Sequence, residues 1–138
     1  MRYLKETVNF NLVLGHHSRD TFDLVGWTDS SWAQDQDDCR STSGFVFDIV
    51  GSSISWSSKK QATVTTFSVE AEYVASSNTT KEAIWLRTLL TKLDFSPTTT
   101  TIIHADNQGC IALASNPVTH SCAKHIDIRY HFICERVE

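Results

Sequence analysis

The stretch Phe67-Ser-Val-Glu-Ala-Glu-Tyr-Val-Ala75 opens the longest helical pattern in this 138-residue sequence. No glycine or proline occurs from Ser68 to Lys92, and Ser68 precedes an acidic first turn, so we expect a helix capped by Ser68. A helical repeat of about 100° per residue separates Glu70 from Glu72 by roughly 160°. Glu72 lies on a stripe of small and apolar residues and is expected to face inward. The opposite face, which we expect to be solvated, carries Glu70, Ser77, Lys81, Thr88 and Lys92.

An inward-facing glutamate near the start of a helix has two explanations. The carboxylate of Glu72 can interact with the positive end of the helix dipole, which stabilises a helix by about 0.3–1 kcal/mol. Alternatively it can ligate a metal ion, because Mg²⁺ is held by hard carboxylate oxygens. One glutamate is not enough for a metal site, so the second explanation requires further acids from elsewhere in the chain.

Length and composition indicate a single folded domain, with 41% hydrophobic and 20% charged residues. The sequence has neither a run of about 18 apolar residues nor a signal-peptide core, so we expect no membrane insertion and no export. The net charge of −4 argues against binding of nucleic acid by bulk electrostatics alone. Because no cysteine pair has CxxC spacing, we expect reduced thiols in an intracellular protein.

A predicted strand from Thr21 to Asp29 supplies the first further acid at its carboxyl end. Asp29 is therefore a candidate ligand, although an aspartate after a strand can also simply begin a turn. The loop that follows carries three more acids before Arg40, and we expect these to be solvated rather than a second metal cluster: Asp35, Asp37 and Asp38.

Two short β-rich runs, Gly44–Val50 and Ser53–Ser58, flank Gly51-Ser52, a pattern typical of a hairpin. Together with the strand that ends at Asp29, they predict an antiparallel meander of three strands. Two lysines, Lys59 and Lys60, follow the third strand. They are either solvated charges or contacts for a phosphate backbone.

After the long helix, Thr101–Ala105 has the pattern of a buried strand, and Asp106 follows at its carboxyl end. Asn107–Ala114 predicts a short helix, so Asp106 can be the N-cap of that helix. Ligands also collect at the carboxyl ends of strands in sheets with helical crossovers, which makes Asp106 the third candidate ligand. A last helix is expected to begin near Asp127. The whole order predicts an α/β fold with a mixed sheet.

The sequence blocks in this order resemble the ribonuclease H domain of the Pol polyprotein of copia-type LTR retrotransposons. The resemblance covers most of residues 23–137 and rests on six blocks: Gly26-Trp-Thr-Asp-Ser-Ser-Trp-Ala33, Arg40-Ser-Thr-Ser-Gly-Phe-Val-Phe47, Ile54-Ser-Trp-Ser-Ser-Lys-Lys-Gln61, Val69-Glu-Ala-Glu-Tyr-Val-Ala75, Ala105-Asp-Asn-Gln108 and Lys124-His-Ile-Asp-Ile-Arg-Tyr-His-Phe-Ile133. It implies a ribonuclease H-like domain over residues 21–138, with a mixed sheet, a three-strand meander and helical crossovers. Residues 1–20 resemble the end of the upstream reverse transcriptase or connection region.

The resemblance also implies an activity, which is metal-dependent hydrolysis of the RNA strand of RNA/DNA hybrids during reverse transcription. In that family a set of four carboxylates holds two Mg²⁺ or Mn²⁺ ions. Asp29, Glu72 and Asp106 match its first three positions and are thus expected to be both the catalytic and the metal-binding residues.

Further expectations concern partners and location. The implied partners are an RNA/DNA hybrid and the reverse transcriptase domain of the same polyprotein, without a membrane. The implied location is intracellular, in a cytoplasmic virus-like particle with access to the nucleus. We expect nucleic-acid contacts from Ser30, Lys59, Lys60, Asn107 and Gln108.

The fourth carboxylate has no match in this sequence. Members of the family continue into a last strand and a helix that carries an Ala-Asp pair, and the chain ends before them, so we expect a domain truncated at its carboxyl end. Asp127 is a poor substitute because it is expected to start the preceding helix. Whether the chain is itself an enzyme is therefore left open. The alternative function is a catalytically inactive, transposon-derived fragment that retains the fold and at most weak nucleic-acid binding.

Overall fold

The computed structural model describes residue 10 and residues 23–35, 37–95, 97, 99–115, 132–133 and 135–136. These residues form β1 (Leu24–Ser31), β2 (Thr42–Ile49), β3 (Ser52–Lys60), α1 (Ser68–Lys92), β4 (Ile102–His104) and α2 (Gln108–Ser115). The order of elements is the predicted one. The predicted fold class is confirmed, since the chain has an α/β fold whose mixed sheet and two helices are compatible with a ribonuclease H-like fold. The expected upstream tail, apart from residue 10, and the helix near Asp127 lie outside the described residues.

The four strands form one sheet in the order β3-β2-β1-β4. The first three strands form the predicted antiparallel meander, and β4 pairs parallel with β1 from Val25↔Ile102 to Trp27↔His104. The hairpin between β2 and β3 turns at Val50 and Gly51, whose φ angles are 51° and 74°. Two positive φ angles in a two-residue loop match the right-handed twist of the strands. The turn lies at Val50-Gly51, one residue before the predicted turn at Gly51-Ser52.

Helix α1 lies against β1 and β2. The core between them contains Leu24, Phe47, Ala83 and Leu86. Gly26 allows close packing here, because a Cβ atom at this position would lie 2.5 Å from Cε1 of Phe47. Polar contacts also join the layers: the buried hydroxyl of Thr79 donates to that of Thr28 at 2.9 Å.

The start of α1 differs from the prediction. Phe67 occupies the N-cap position without a side-chain hydrogen bond, so Ser68 does not cap the helix. Instead, Glu70 reaches back and accepts a hydrogen bond from the backbone N–H of Thr66 at 2.8 Å, and it is half-buried rather than solvated. Ser77 was also expected to be solvated, but it is fully buried.

That burial has a physical reason. A second cluster, formed by Tyr73, Cys110 and Ile133, covers the side of α1 that faces α2. Ser77 follows Tyr73 by one helical turn and lies on the same side of α1. The first half of α1 is therefore enclosed on two sides, although its sequence predicts only one buried face.

Two further expectations concern described residues only. Cys39 and Cys110 are free thiols, as predicted, whereas Cys122 and Cys134 lie outside the described ranges. Neither described helix is long and apolar enough to span a bilayer.

Candidate metal centre

Asp29 lies inside β1, two residues before the strand ends, and not at the carboxyl end as predicted. Its backbone pairs with Gly44 of β2. Its side chain is exposed and lies on the face of the sheet that points away from α1. Since the strand continues through Asp29, the alternative that this residue begins a turn is wrong. Pairing with β2 holds its backbone in place, whereas β4 pairs with β1 only as far as Trp27.

The carboxylate of Glu72 reaches that of Asp29 from α1, on the opposite side of the sheet. It lies in the second turn of α1 and is only 8% exposed, as the helical phase predicts. The backbone N–H of Ser30 donates a hydrogen bond to its carboxylate. Because the helix dipole acts mainly within the first turn, stabilisation by the dipole is a weak explanation for a buried carboxylate at this position.

Asp106 follows β4 by two residues and is exposed. It does not cap α2. The cap is Asn107, whose side-chain oxygen accepts a hydrogen bond from the backbone N–H of Cys110 at 2.9 Å. The carboxylate of Asp106 is thus not engaged by the helix that follows it.

These three acids come together. One carboxylate oxygen from each of Asp29, Glu72 and Asp106 can be chosen so that all three oxygens lie within 4.8 Å of one another. In the part of the chain that the structure describes, no second group of three histidine, cysteine or acidic side chains meets in this way. The prediction that the acids of elements far apart in sequence converge is therefore supported by the geometry.

The electrostatics of Glu72 follow from this arrangement. Burial, and then the negative charges of Asp29 and Asp106, raise the pKa of Glu72 to about 7. Two unit charges 4 Å apart repel by about 1 kcal/mol in bulk water and by about 4 kcal/mol at an effective dielectric constant of about 20. Three ionised carboxylates in this space therefore destabilise the fold unless a proton or a cation neutralises them.

The remaining predicted contacts are distributed around the cluster. Ser30 supplies its backbone N–H to Glu72, Asn107 caps α2, and Gln108 is exposed in the first turn of α2. Lys59 is exposed near the end of β3. Lys60, predicted to follow the third strand as a solvated charge or a phosphate contact, instead ends β3. Its ammonium group forms ion pairs with two acids of the loop between β1 and β2.

That loop is stabilised by its own contacts. The ammonium of Lys60 contacts Asp35 and Asp38, and Arg40 contacts Asp38 at 3.5 Å. Asp35 additionally accepts hydrogen bonds from the backbone N–H groups of Asp37 and Asp38. The acidic loop is thus an ion-paired turn, and Asp35 and Asp38 are only partly exposed rather than solvated as predicted.

Two features beside the cluster were not predicted. The first is a groove of about 480 Å³ on the outer sheet face, where the rings of Trp27 and His104 stack at 5.5 Å and lie next to Asp29 and Asp106. Alternation along β1 places Trp27 and Asp29 on one face and could have indicated this neighbourhood. The second is Gln61, a buried amide that contacts the residue before Glu72. Its position just after a strand of polar residues gave no signal of burial.

The chain matches transposon proteins over all 138 residues. It is 43% identical to the retrovirus-related Pol polyprotein from transposon RE1 and 41% identical to that from transposon RE2, both of Arabidopsis thaliana. It is 39% identical to the retrovirus-related Pol polyprotein from transposon TNT 1-94 of Nicotiana tabacum. The chain spans only 9% to 10% of the length of these relatives. No protein-family model matches it.

Identity of this degree over the full chain does not arise by chance, and it supports the polyprotein context that the sequence blocks predict. The three relatives come from two plants and share the same description. The chain is therefore homologous to one segment of the Pol polyproteins of copia-type retrotransposons.

Proposed function

We propose that this chain is the ribonuclease H segment of a transposon Pol polyprotein, which hydrolyses the RNA strand of RNA/DNA hybrids. The observation that carries the proposal is the convergence of Asp29, Glu72 and Asp106 within 4.8 Å from β1, α1 and the segment that follows β4. A purely structural role does not account for this arrangement, because like charges so close together oppose folding.

The residues fit a divalent metal ion. Three carboxylates offer only oxygen ligands, the donors that Mg²⁺ and Mn²⁺ prefer. Two of the three are exposed, so an ion held between them remains accessible to a phosphate group. When bound, a pair of such ions supplies activation of water and charge stabilisation at the scissile phosphate.

Each residue of the chain has a distinct task in this proposal. Asp29 and Asp106 present their carboxylates at the surface, where substrate arrives. Glu72 supports the cluster from within the protein, and the N–H of Ser30 fixes the direction of its carboxylate. Because the pKa of Glu72 is about 7, this group holds a proton below neutrality and must release it before it ligates a cation.

Four further residues make up the proposed substrate side. Ser30, Lys59, Asn107 and Gln108 are proposed contacts for the hybrid, and the ribose 2′-OH would distinguish the strand that is cut. Lys60 is a weaker candidate because it is already paired with the acidic loop. The reverse transcriptase domain of the same polyprotein is the proposed partner that delivers the hybrid.

The test uses a hybrid whose RNA strand is labelled, incubated with the 138-residue chain and Mg²⁺ or Mn²⁺. We expect the rate of cleavage to fall at least about 100-fold in each of three variants, Asp29→Asn, Glu72→Gln and Asp106→Asn. Residues that only orient metal ligands contribute up to about 100-fold, and a ligand itself should contribute no less. Asp94→Asn is the matched control, since it also removes one negative charge but lies exposed just beyond α1. Equal cleavage by the wild type and all three variants would contradict the proposal.

The alternative of an inactive fragment has its own outcome. Calorimetric titration with Mn²⁺ would then show weak binding of one ion, and the hybrid would bind without being cut. Two bound ions together with cleavage would exclude that alternative.

A further inference from the structure

Gln61 is a buried amide directly after β3, and its two side-chain hydrogen bonds lead to different layers of the fold. It is 5% exposed. Its side-chain nitrogen donates to the hydroxyl of Ser43 in β2 at 2.7 Å and to the backbone carbonyl of Ala71 in α1 at 3.0 Å. Its own backbone N–H donates to the carbonyl of Ser41 at 2.8 Å, which anchors the residue to the strand.

The two side-chain bonds lie beside the proposed metal ligand. Ala71 directly precedes Glu72, and Ser43 pairs across the sheet with Ser30. The N–H of Ser30 in turn donates to the carboxylate of Glu72. A closed ring of contacts therefore connects the sheet, the amide of Gln61, the backbone of α1 and the carboxylate of Glu72.

This end of α1 packs tightly on the side that faces α2, where Tyr73 is buried against Cys110 and Ile133. The residues that flank Glu72 toward the sheet are small, as at Ala71 and Ala75, and alanine side chains offer little volume to resist a slide of the helix. The larger apolar contacts of α1 with the sheet involve Ala83 and Leu86, at least eleven residues further along. On the sheet side, polar bonds near Glu72 therefore add to this packing in setting the position of Glu72 relative to Asp29.

The amide oxygen of Gln61 supports a role other than stability. It is buried and has no hydrogen-bond partner among the described residues. A buried polar atom without a partner destabilises a fold, so an apolar side chain of similar shape would suit a purely structural position better. The feature that glutamine adds is the pair of donors on its nitrogen.

From this geometry we infer that Gln61 is a positioning residue of the metal centre, which holds the start of α1 so that Glu72 meets Asp29 and Asp106. The inference rests on the proposed function, because it assumes that the acid cluster binds Mn²⁺ or Mg²⁺. Gln61 itself contacts none of the three acids through the bonds described. Its effect passes through the backbone of Ala71.

The experiment compares Mn²⁺ affinity and fold stability for variants of the full chain. Gln61→Met keeps the length of the side chain and removes its donors, and Ser43→Ala removes one acceptor. Gln61→Met is expected to weaken Mn²⁺ binding about 10- to 100-fold, as for other residues that orient metal ligands. Ser43→Ala is expected to weaken binding less, because the bond to Ala71 remains.

Leu86→Ala provides the matched control. Leu86 is buried far from the acid cluster in the same helix, so its truncation lowers the free energy of unfolding without touching the ring of contacts. We expect its Mn²⁺ affinity to stay within about twofold of wild type, measured where urea unfolding curves show all variants to be folded. This comparison separates positioning from general loss of stability.

The outcomes are distinguishable. If folded Gln61→Met binds Mn²⁺ as tightly as wild type, the positioning role is overturned whether or not the hybrid is cut. If wild type binds Mn²⁺ without cutting the hybrid, while Gln61→Met binds more weakly, the positioning role stands and the nuclease function fails. If wild type binds no Mn²⁺, both are overturned.

Discussion

The side-chain oxygen of Asn107 accepts the backbone N–H of Cys110, so the helix that follows β4 is capped by Asn107 and not by its neighbour Asp106. The carboxylate of Asp106 is therefore available to the acid cluster. We expect Asn107→Ala to lower the free energy of unfolding by about 1 kcal/mol, the usual effect of losing an N-cap. Asn107→Asp should retain most of that stability, because aspartate caps helices equally well. Urea denaturation measures both, and an unchanged midpoint for Asn107→Ala would contradict the capping role.

The acid cluster predicts an unusual dependence of stability on pH when no metal is present. The pKa of Glu72 is about 7 in the folded chain, against an ordinary value of 4.5. Between these values the folded state binds more protons than the unfolded state, so its free energy of unfolding falls as the pH rises. The destabilisation is absent below about pH 4.5 and complete well above pH 7.

Glu72→Gln removes this dependence. We expect the variant to be more stable than wild type at pH 8 with EDTA present, and the difference to shrink as the pH is lowered toward 5. Urea unfolding at several pH values measures it, with Asp94→Asn expected to follow the wild-type slope. A constant difference between Glu72→Gln and wild type from pH 5 to pH 8 would show that Glu72 does not titrate in this window.

Metal binding and proton release should be coupled. Below pH 7 most Glu72 side chains are protonated, and a cation can be ligated only by the ionised form. At pH 6 we therefore expect Mn²⁺ binding to release close to one proton, and its apparent affinity to fall by up to about tenfold per further pH unit. Calorimetry in two buffers with different ionisation enthalpies counts the protons. Equal heats in both buffers at pH 6 would contradict the coupling.

Close packing at Gly26 gives a prediction about stability alone. A Cβ atom at Gly26 would lie 2.5 Å from Cε1 and 3.0 Å from Cδ1 of Phe47, which is fully buried and has little room to move. We expect Gly26→Ala to lower the free energy of unfolding by about 1–3 kcal/mol. Gly44→Ala is the control, because the nearest atom to its new Cβ would be 3.8 Å away. Equal unfolding midpoints for the two variants would exclude this packing argument.

Periodicity in single elements was sufficient to single out the three acids as candidate ligands. The helical phase separated Glu72 from Glu70, and the strand patterns placed Asp29 and Asp106 near element ends. The same reasoning offered only Asp106 as the cap of α2. Asn107 is the cap in the structure, and the choice between them depends on where β4 ends, because both residue types cap helices. It also ended β1 at Asp29, although pairing with β2 carries the strand on to Ser31.

Other errors arose where two distant segments meet. Lys60 was predicted to be a solvated charge or a phosphate contact, but the acidic loop folds back onto it from 22 to 25 positions away in sequence. Ser77 was predicted to be solvated because nothing in α1 itself indicates that Tyr73, Cys110 and Ile133 cluster on that side. Such contacts depend on the tertiary arrangement, which one element's hydrophobic pattern does not contain.

The shortness of β4 has a consequence for dynamics. This strand pairs with β1 at only three positions, with His104 stacked on Trp27, yet it leads directly to Asp106. Short edge strands are among the first segments to open locally. A ligand that binds only the closed form raises the free energy of opening, by about 2.7 kcal/mol when its concentration is 100 times its Kd. An ion held by Asp106 would oppose local opening of β4, the last strand of the sheet that the described residues form. Hydrogen exchange at Ile103 and His104 would then slow on addition of Mn²⁺ far more than exchange in β2.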